Sequence, residues 1–218
     1  LNLIKKWLSY LVDIPLVTTQ SEINPFIRVN LSRGRYQLLT ENAIYSYGDL
    51  YDNFFEAFKF LELDNRNVEE VLILGFGLAS IPYMLENNFK KNYYYTAVEI
   101  DEKILELAHQ FVTKDLRSPI DFVCTDAESF VFVTEQTFDV ICVDIFLDEV
   151  IPEQFRTTDF LVRLSELLNP EGIIIFNTLY LSTEDKIGTD EFVQHVFKKV
   201  FPGMRSIVTK SNRMLFNR

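Results

Sequence analysis

From residue 70 onward, short apolar runs alternate with helical stretches, and this pattern limits the possible folds more than anything else in the chain. "EVLILG" (70–75), "YYYTAVEI" (93–100), "IDFVCT" (120–125), "FDVICVDIF" (138–146) and "IIIFNTLY" (173–180) read as strands. "LASIPYMLENN" (78–88), "DEKILELAHQFV" (101–112), "AESFVFV" (127–133) and "TDFLVRLSELL" (158–168) read as helices between them. Pro82 falls in a first turn, where it is tolerated, and Asp101 is placed to cap the helix that follows it. Strands that are apolar almost throughout, alternating with helices, predict a parallel sheet covered on both faces. "NPEG" (169–172) reads as a turn, a further helix is expected within 184–201, and "RSIVTKSNRMLFNR" (205–218) reads as a hairpin.

The first part of the chain has a different texture. "LNLIKKWLSYLVDIP" (1–15) reads as a short amphipathic helix that could touch a membrane, with docking on its own domain or on a partner subunit the preferred reading. It lacks the small-residue cleavage site of a signal peptide. "FIRVNL" (26–31), "RYQLLT" (35–40) and "AIYSY" (43–47) read as a small antiparallel sheet, with Gly34 supplying the turn. "DLYDNFFEAFKFLEL" (49–63) repeats apolar residues at helical spacing, with Asp49 as its expected N-cap. Two units are therefore expected: residues 1–48 as a helix and small sheet, and residues 49–218 as the α/β domain.

Composition removes several functions. A length of 218 residues suits one sizeable α/β domain with an extension. The net charge of −11 repels phosphate backbones, so no nucleic-acid partner is expected. Arg28, Arg33 and Arg35 read as a solvated hairpin. Cys124 and Cys142 lie in apolar runs and read as buried free thiols of a reducing cytoplasm. With two histidines and no Cys/His cluster, no metal site is expected. No run approaches the ~20 apolar residues that a bilayer span requires.

Ligands of parallel sheets bind at the carboxyl ends of the strands. After the first strand come Gly75 and Gly77, which let backbone approach a ligand and turn into a helix N-terminus. Glu99 ends the second strand, at the separation where an acid accepts ribose hydroxyls. Asp126 follows the third and Asp144 the fourth. Ala79 and Ser80 stand where a dinucleotide fold would have its third glycine. Three acids around such a turn disfavour a pyrophosphate. They suit a ligand with a ribose, an adenine and a positive centre, a description that S-adenosylmethionine meets.

The series "VLILGFG…AVEID…CTDAESF…FDVICVDIF…IP" resembles the class I methyltransferase fold, and within it the spermidine-synthase-like branch. The resemblance covers roughly residues 36–180. Its most specific phrase is "FDVICVDIFLDEVIPEQFRTTDFL" (138–161). It implies a Rossmann-like seven-stranded methyltransferase sheet with an antiparallel C-terminal hairpin, plus a small N-terminal β-extension that covers the cleft and supports a homodimer. The ligand it implies is S-adenosylmethionine or its decarboxylated form. Gly75 and Gly77 would face its methionine and ribose part, and Glu99 would hold the ribose hydroxyls. Asp126 and Ala127 would meet the adenine edge. Asp144 would sit by the sulfonium and a small-molecule acceptor, as the catalytic proton acceptor.

The chain departs from the branch in four places. Leu78 replaces an aspartate of the glycine turn. Phe54, Phe55 and Glu56 stand where a Tyr-His-Glu run is read. Tyr45 replaces a glutamine of the small sheet, and the acid pair of the gate loop is stretched to Asp144 and Asp148. The resulting expectation is a cytoplasmic S-adenosylmethionine-dependent transferase, methyl or aminopropyl, of unknown acceptor. Its alternative is a catalytically inactive nucleoside-binding or assembly protein of the same fold.

Overall fold

The structure, a computed structural model, describes residues 3–148 and 150–218. Residues 1–2 of the expected N-terminal helix and Glu149 of the gate-loop phrase lie outside the described residues. The seven-stranded sheet contains β5 (Glu70–Leu74), β6 (Tyr94–Glu99), β7 (Ile120–Cys124), β8 (Phe138–Val143), β9 (Leu168–Leu179), β10 (Arg205–Val208) and β11 (Asn212–Phe216). Their order is β10-β11-β9-β8-β5-β6-β7. Strands β5 to β9 pair in parallel, whereas β11 enters antiparallel between β9 and β10. This is the Rossmann-like methyltransferase sheet with its C-terminal hairpin.

The apolar strands are buried on both sides because their side chains alternate with a period of two. Val71 and Ile73 face one layer with α2 (Asp52–Phe60), α3 (Ser80–Asn87) and α4 (Glu102–Phe111). Leu72 and Leu74 face the other, with α5 (Ala127–Val133), α6 (Thr158–Glu166) and α7 (Thr183–Phe192). Thr157 caps α6 by accepting from the Phe160 N–H at 3.2 Å. Phe160 is fully buried and meets Phe155 edge-on at 5.3 Å. Phe160→Ala is expected to cost about 3–5 kcal/mol, read as a lower midpoint in urea denaturation with an unchanged slope.

A separate antiparallel sheet precedes it: β1 (Ile14–Thr19), β2 (Ile27–Ser32), β3 (Arg35–Leu39) and β4 (Ile44–Ser46), in sequence order. The opening helix, α1 (Leu3–Leu8), is shorter than expected, and residues from Ile14 pair with β2 instead. Val17, Thr18 and Thr19, all β-branched, suit that strand.

Three further expectations are corrected. Asp49 does not cap α2: its carboxylate takes a two-pronged bond from Arg35, and the N-cap, Tyr51, makes no side-chain cap bond. "NPEG" is absorbed into β9 as a wide bulge, because Leu168 pairs with Phe138 and Ile173 with Val140. Glu171 there takes a φ of 67°. Cys124 is exposed rather than buried, since β7 is the sheet edge, while Cys142 in central β8 is buried as expected.

Candidate functional site

The carboxyl ends of β5, β6, β7 and β8 open into one cleft of about 830 Å³, roofed by β4 and the start of α2. Gly75, Gly77, Glu99, Asp126, Ala127 and Asp144 all lie on its wall.

The glycine turn is fixed by backbone sterics. Gly75 has φ +85°, and a Cβ there would lie 2.1 Å from the Asp144 carbonyl oxygen. Gly77 has φ +54°, and its Cβ would approach the Tyr45 carbonyl and Ser46 at 3.3 Å. The second glycine therefore seats the small sheet on the turn as well as lining the cleft. Ala79 adopts φ 58° without being glycine. The backbone shape of a third glycine is thus kept, at a strain of roughly 1 kcal/mol. Ser80 Oγ bonds Ser46 Oγ and accepts from the Tyr47 N–H at 3.0 Å, which ties the small sheet to α3.

Glu99 is buried and bound to that turn. Its Oε2 accepts from the Phe76 and Gly77 N–H groups at 3.1 and 3.2 Å, and its Oε1 from Asp101 N–H at 3.2 Å. Burial pushes its pKa up against these three donors. A carboxylate has about four acceptor positions, so one remains for a ligand hydroxyl. Asp101 caps α4 through Lys103 N–H and also takes Asn24 Nδ2 at 2.7 Å. Asp126 caps α5, accepting from Ser129 N–H at 2.9 Å.

Asp144 lies deep in the cleft. Its Oδ1 accepts from Asn177 Nδ2 at 2.8 Å and from the Tyr51 hydroxyl at 3.2 Å. Asn177 Oδ1 in turn accepts from Asn212 Nδ2 at 2.8 Å. Burial pushes the Asp144 pKa up to about 7, against the lowering effect of Asn177 and Tyr51. Burial likewise pushes the Tyr51 hydroxyl well up, and the Asp144 charge adds to it.

Asp148, the stretched partner, does not join Asp144. Its carboxylate accepts from Thr40 Oγ1 at 2.9 Å and Asn42 Nδ2 at 2.6 Å, and these bonds hold its pKa below the usual range. Its N–H donates to Tyr45 Oη. Tyr45 thus fastens the loop after β8 to the small sheet.

The aromatic pair packs away from the cleft. Phe54 is fully buried and packs on Phe58, and Phe55 packs on Phe89. The cleft wall is formed three residues earlier, by Tyr51, Asp52 and Asn53. Leu78 is buried in the core and does not line the cleft. Sequence reasoning missed Tyr51, Asn177 and Asn212. Asn177 carries a signal that was available, a polar residue inside the apolar run of β9.

The cleft's charge is one-sided. Asp52, Glu99, Asp126, Asp144, Asp148 and Asp185 line it, and among the described lining residues there is no Lys, Arg or His. Such a wall attracts a cation and repels a phosphate. Among the described residues, no group of three or more His, Cys, Asp or Glu is placed to hold a metal ion.

Comparison with known proteins gives the same picture. The sequence profile of the family described as spermine/spermidine synthase domain matches residues 59–216. A probable polyamine aminopropyl transferase of Bifidobacterium longum is 32% identical over 116 residues, 53% of this chain and 25% of that protein. An eEF1A lysine and N-terminal methyltransferase of Bos taurus is 30% identical over 162 residues, 67% of this chain and 22% of that protein. The chain thus spans about a quarter of the length of these relatives. Among solved structures, a probable spermidine synthase from Corynebacterium glutamicum superposes with a TM-score of 0.75 at 18% identity, over 92% of this chain and 78% of the other. Human methyltransferase-like protein 13 in complex with SAH gives 0.62 at 24% identity, over 75% and 81%.

Proposed function

The chain belongs to the spermine/spermidine synthase domain family, and from that membership we propose that it is an S-adenosylmethionine-dependent transferase whose small-molecule acceptor carries an amine. The observation that carries this reading is the wall of six acids, of which Asp52 is paired with Lys210, with no Lys, Arg or His among the described lining residues. It suits a sulfonium ligand and a basic acceptor together.

When bound, S-adenosylmethionine supplies a carbon activated by its neighbouring sulfonium. The chain's own residues would do the rest. Glu99 would hold the ribose through its remaining acceptor position, while Asp126 and Ala127 would meet the adenine edge. Asp144 would stabilise positive charge and accept the acceptor's proton. A carboxylate whose pKa is about 7 is well placed for that near neutral pH. Tyr51 and Asn177 would hold it in position. Most of the acceleration would come from alignment within the cleft.

Leu78 favours the intact donor over the decarboxylated one. An acid of the glycine turn would repel the carboxylate that only the intact donor carries, and a buried leucine removes that repulsion. Titration calorimetry with S-adenosylmethionine and decarboxylated S-adenosylmethionine tests this directly. Preferential binding of the first is expected. Preference for the second, with turnover of a diamine, would establish aminopropyl transfer instead, and binding of neither would defeat the proposal.

Glu99→Ala is expected to weaken nucleoside binding by about 1–3 kcal/mol. Unchanged affinity in protein that remains folded would remove Glu99 from the site.

A further inference from the structure

The opening helix is seated the wrong way round for a helix that serves only its own domain. Leu8 also accepts from the Leu11 and Val12 N–H groups, so the helical path continues to residue 12. At 3.6 residues per turn, Leu3, Trp7, Leu8, Leu11 and Val12 fall on one half of the circumference. Lys5, Lys6, Ser9 and Tyr10 fall on the other. An ordinary surface helix turns its apolar half inward. Here the one buried residue among 3–12 is polar: Ser9 is 2% exposed, its Oγ accepts from Gly34 N–H at 2.9 Å, and its carbonyl accepts from Arg33 N–H at 2.8 Å, while Lys5, Lys6 and Tyr10 of the same half are exposed. Tyr10 Oη lies 2.9 Å from where a Gly34 Cβ would be. The apolar half faces outward, with Trp7 79% and Leu11 81% exposed.

The surroundings of this half differ in charge from the rest of the molecule. Lys5, Lys6 and Arg33 are exposed here, as is Lys114, which shares a hollow with Lys6, against the acids Asp13 and Asp115. Lys6, Arg35 and Lys114 also line a hollow of about 350 Å³ beside the helix, although Arg35 is already paired with Asp49. The chain as a whole carries −11. An anionic surface would therefore repel the bulk of the molecule and attract this end, orienting it. No described helix is long and apolar enough to cross a membrane, so such a contact would lie in the interface plane.

We propose that residues 3–12 form an interfacial patch that docks the protein on an anionic lipid bilayer, with the apolar half in the headgroup layer and the basic rim on lipid phosphates. An amphipathic segment with an interfacial Trp and flanking lysines has the chemistry for this. A second copy is the less suitable occupant. A two-fold contact would present this basic end with a copy of itself and not with an array of anions. The proposal goes beyond the transferase reading and does not depend on it.

Trp7 is the only tryptophan of the chain, so its fluorescence reports the contact directly. Vesicles of phosphatidylcholine with phosphatidylglycerol are expected to shift its emission to the blue and to sediment the protein. Vesicles of phosphatidylcholine alone are expected to do neither. Neutralising both lysines (Lys5→Gln with Lys6→Gln) is expected to weaken binding roughly 30-fold, as for two cations near an anionic surface. Leu11→Glu, at an exposed position, is expected to abolish it with the circular dichroism unchanged. No shift with either vesicle, or equal binding to both, would overturn the proposal. So would self-association that is lost in Leu11→Glu without any vesicle binding, which would assign the face to a second copy.

Discussion

Gly75→Ala is expected to lower folding stability by about 3 kcal/mol or more, at the severe end for a single methyl group. The added carbon would sit 2.1 Å from the Asp144 carbonyl oxygen. That oxygen cannot swing aside, because Asp144 N–H is bound to the Leu74 carbonyl at 2.8 Å and Gly75 N–H to the Val98 carbonyl at 3.0 Å. The positive φ adds to the cost. Gly203, with nothing within 4 Å, serves as the control: Gly203→Ala should change stability little. Urea denaturation of both variants reads the contrast. A loss below about 1 kcal/mol for Gly75→Ala would mean that the ends of β5 and β8 can separate.

Asp144→Asn is expected to lower the rate of transfer by about 10²–10⁴-fold, the usual worth of a positioned proton acceptor, with donor affinity much less affected. Its pH behaviour gives a second readout that needs no acceptor. The folded-state pKa is about 7, above the ordinary value near 4. The folded protein therefore holds this proton more tightly than the unfolded chain does. Stability from this group is greatest at low pH and falls as pH rises from about 4 to about 7. Asp49, Asp139 and Asp148 have lowered pKa values and act in the opposite direction, losing their contribution as pH falls. The difference between wild type and Asp144→Asn isolates the first effect. Affinity for a sulfonium ligand should rise with pH through about 7, as Asp144 ionises, and that rise should vanish in the variant. A pH-independent affinity in the wild type would remove Asp144 from the ligand's neighbourhood.

The parallel sheet, its helices and the C-terminal hairpin were legible in the sequence because each rests on local periodicity or turn chemistry. The acids were legible for a related reason: a strand end is visible in sequence, and the topology gathers strand ends at one edge. What was not legible depends on distant partners. Asp49 reads as the cap, but the helix starts three residues later, at Asp52, and Arg35 binds the Asp49 carboxylate. Phe54, Phe55 and Glu56 stand where the branch has its Tyr-His-Glu run, yet the cleft is lined at the start of the helix by Tyr51, Asp52 and Asn53, while Phe54 and Phe55 pack on Phe58 and Phe89. Asp148 reads as the stretched gate-loop partner of Asp144, and that it is bound by Thr40 and Asn42 is announced by no pattern near it. Gly77 was expected to serve the ligand alone. Its closeness to Tyr45 and Ser46 means that a bulky residue there would also lift the small sheet.

The placement of β11 bears on how the chain comes to be folded. Asn212 pairs with Leu179 and Phe216 with Ile175, so a late segment lies beside a much earlier one, inside the sheet. During synthesis on the ribosome, the open side of β9, with its run of Ile173, Ile174, Ile175 and Phe176, stays unpaired until residues 212–216 have emerged. An unpaired apolar strand of this kind is a template for wrong partners. Nascent chains stalled before that point are the ones that chaperones would have to shield.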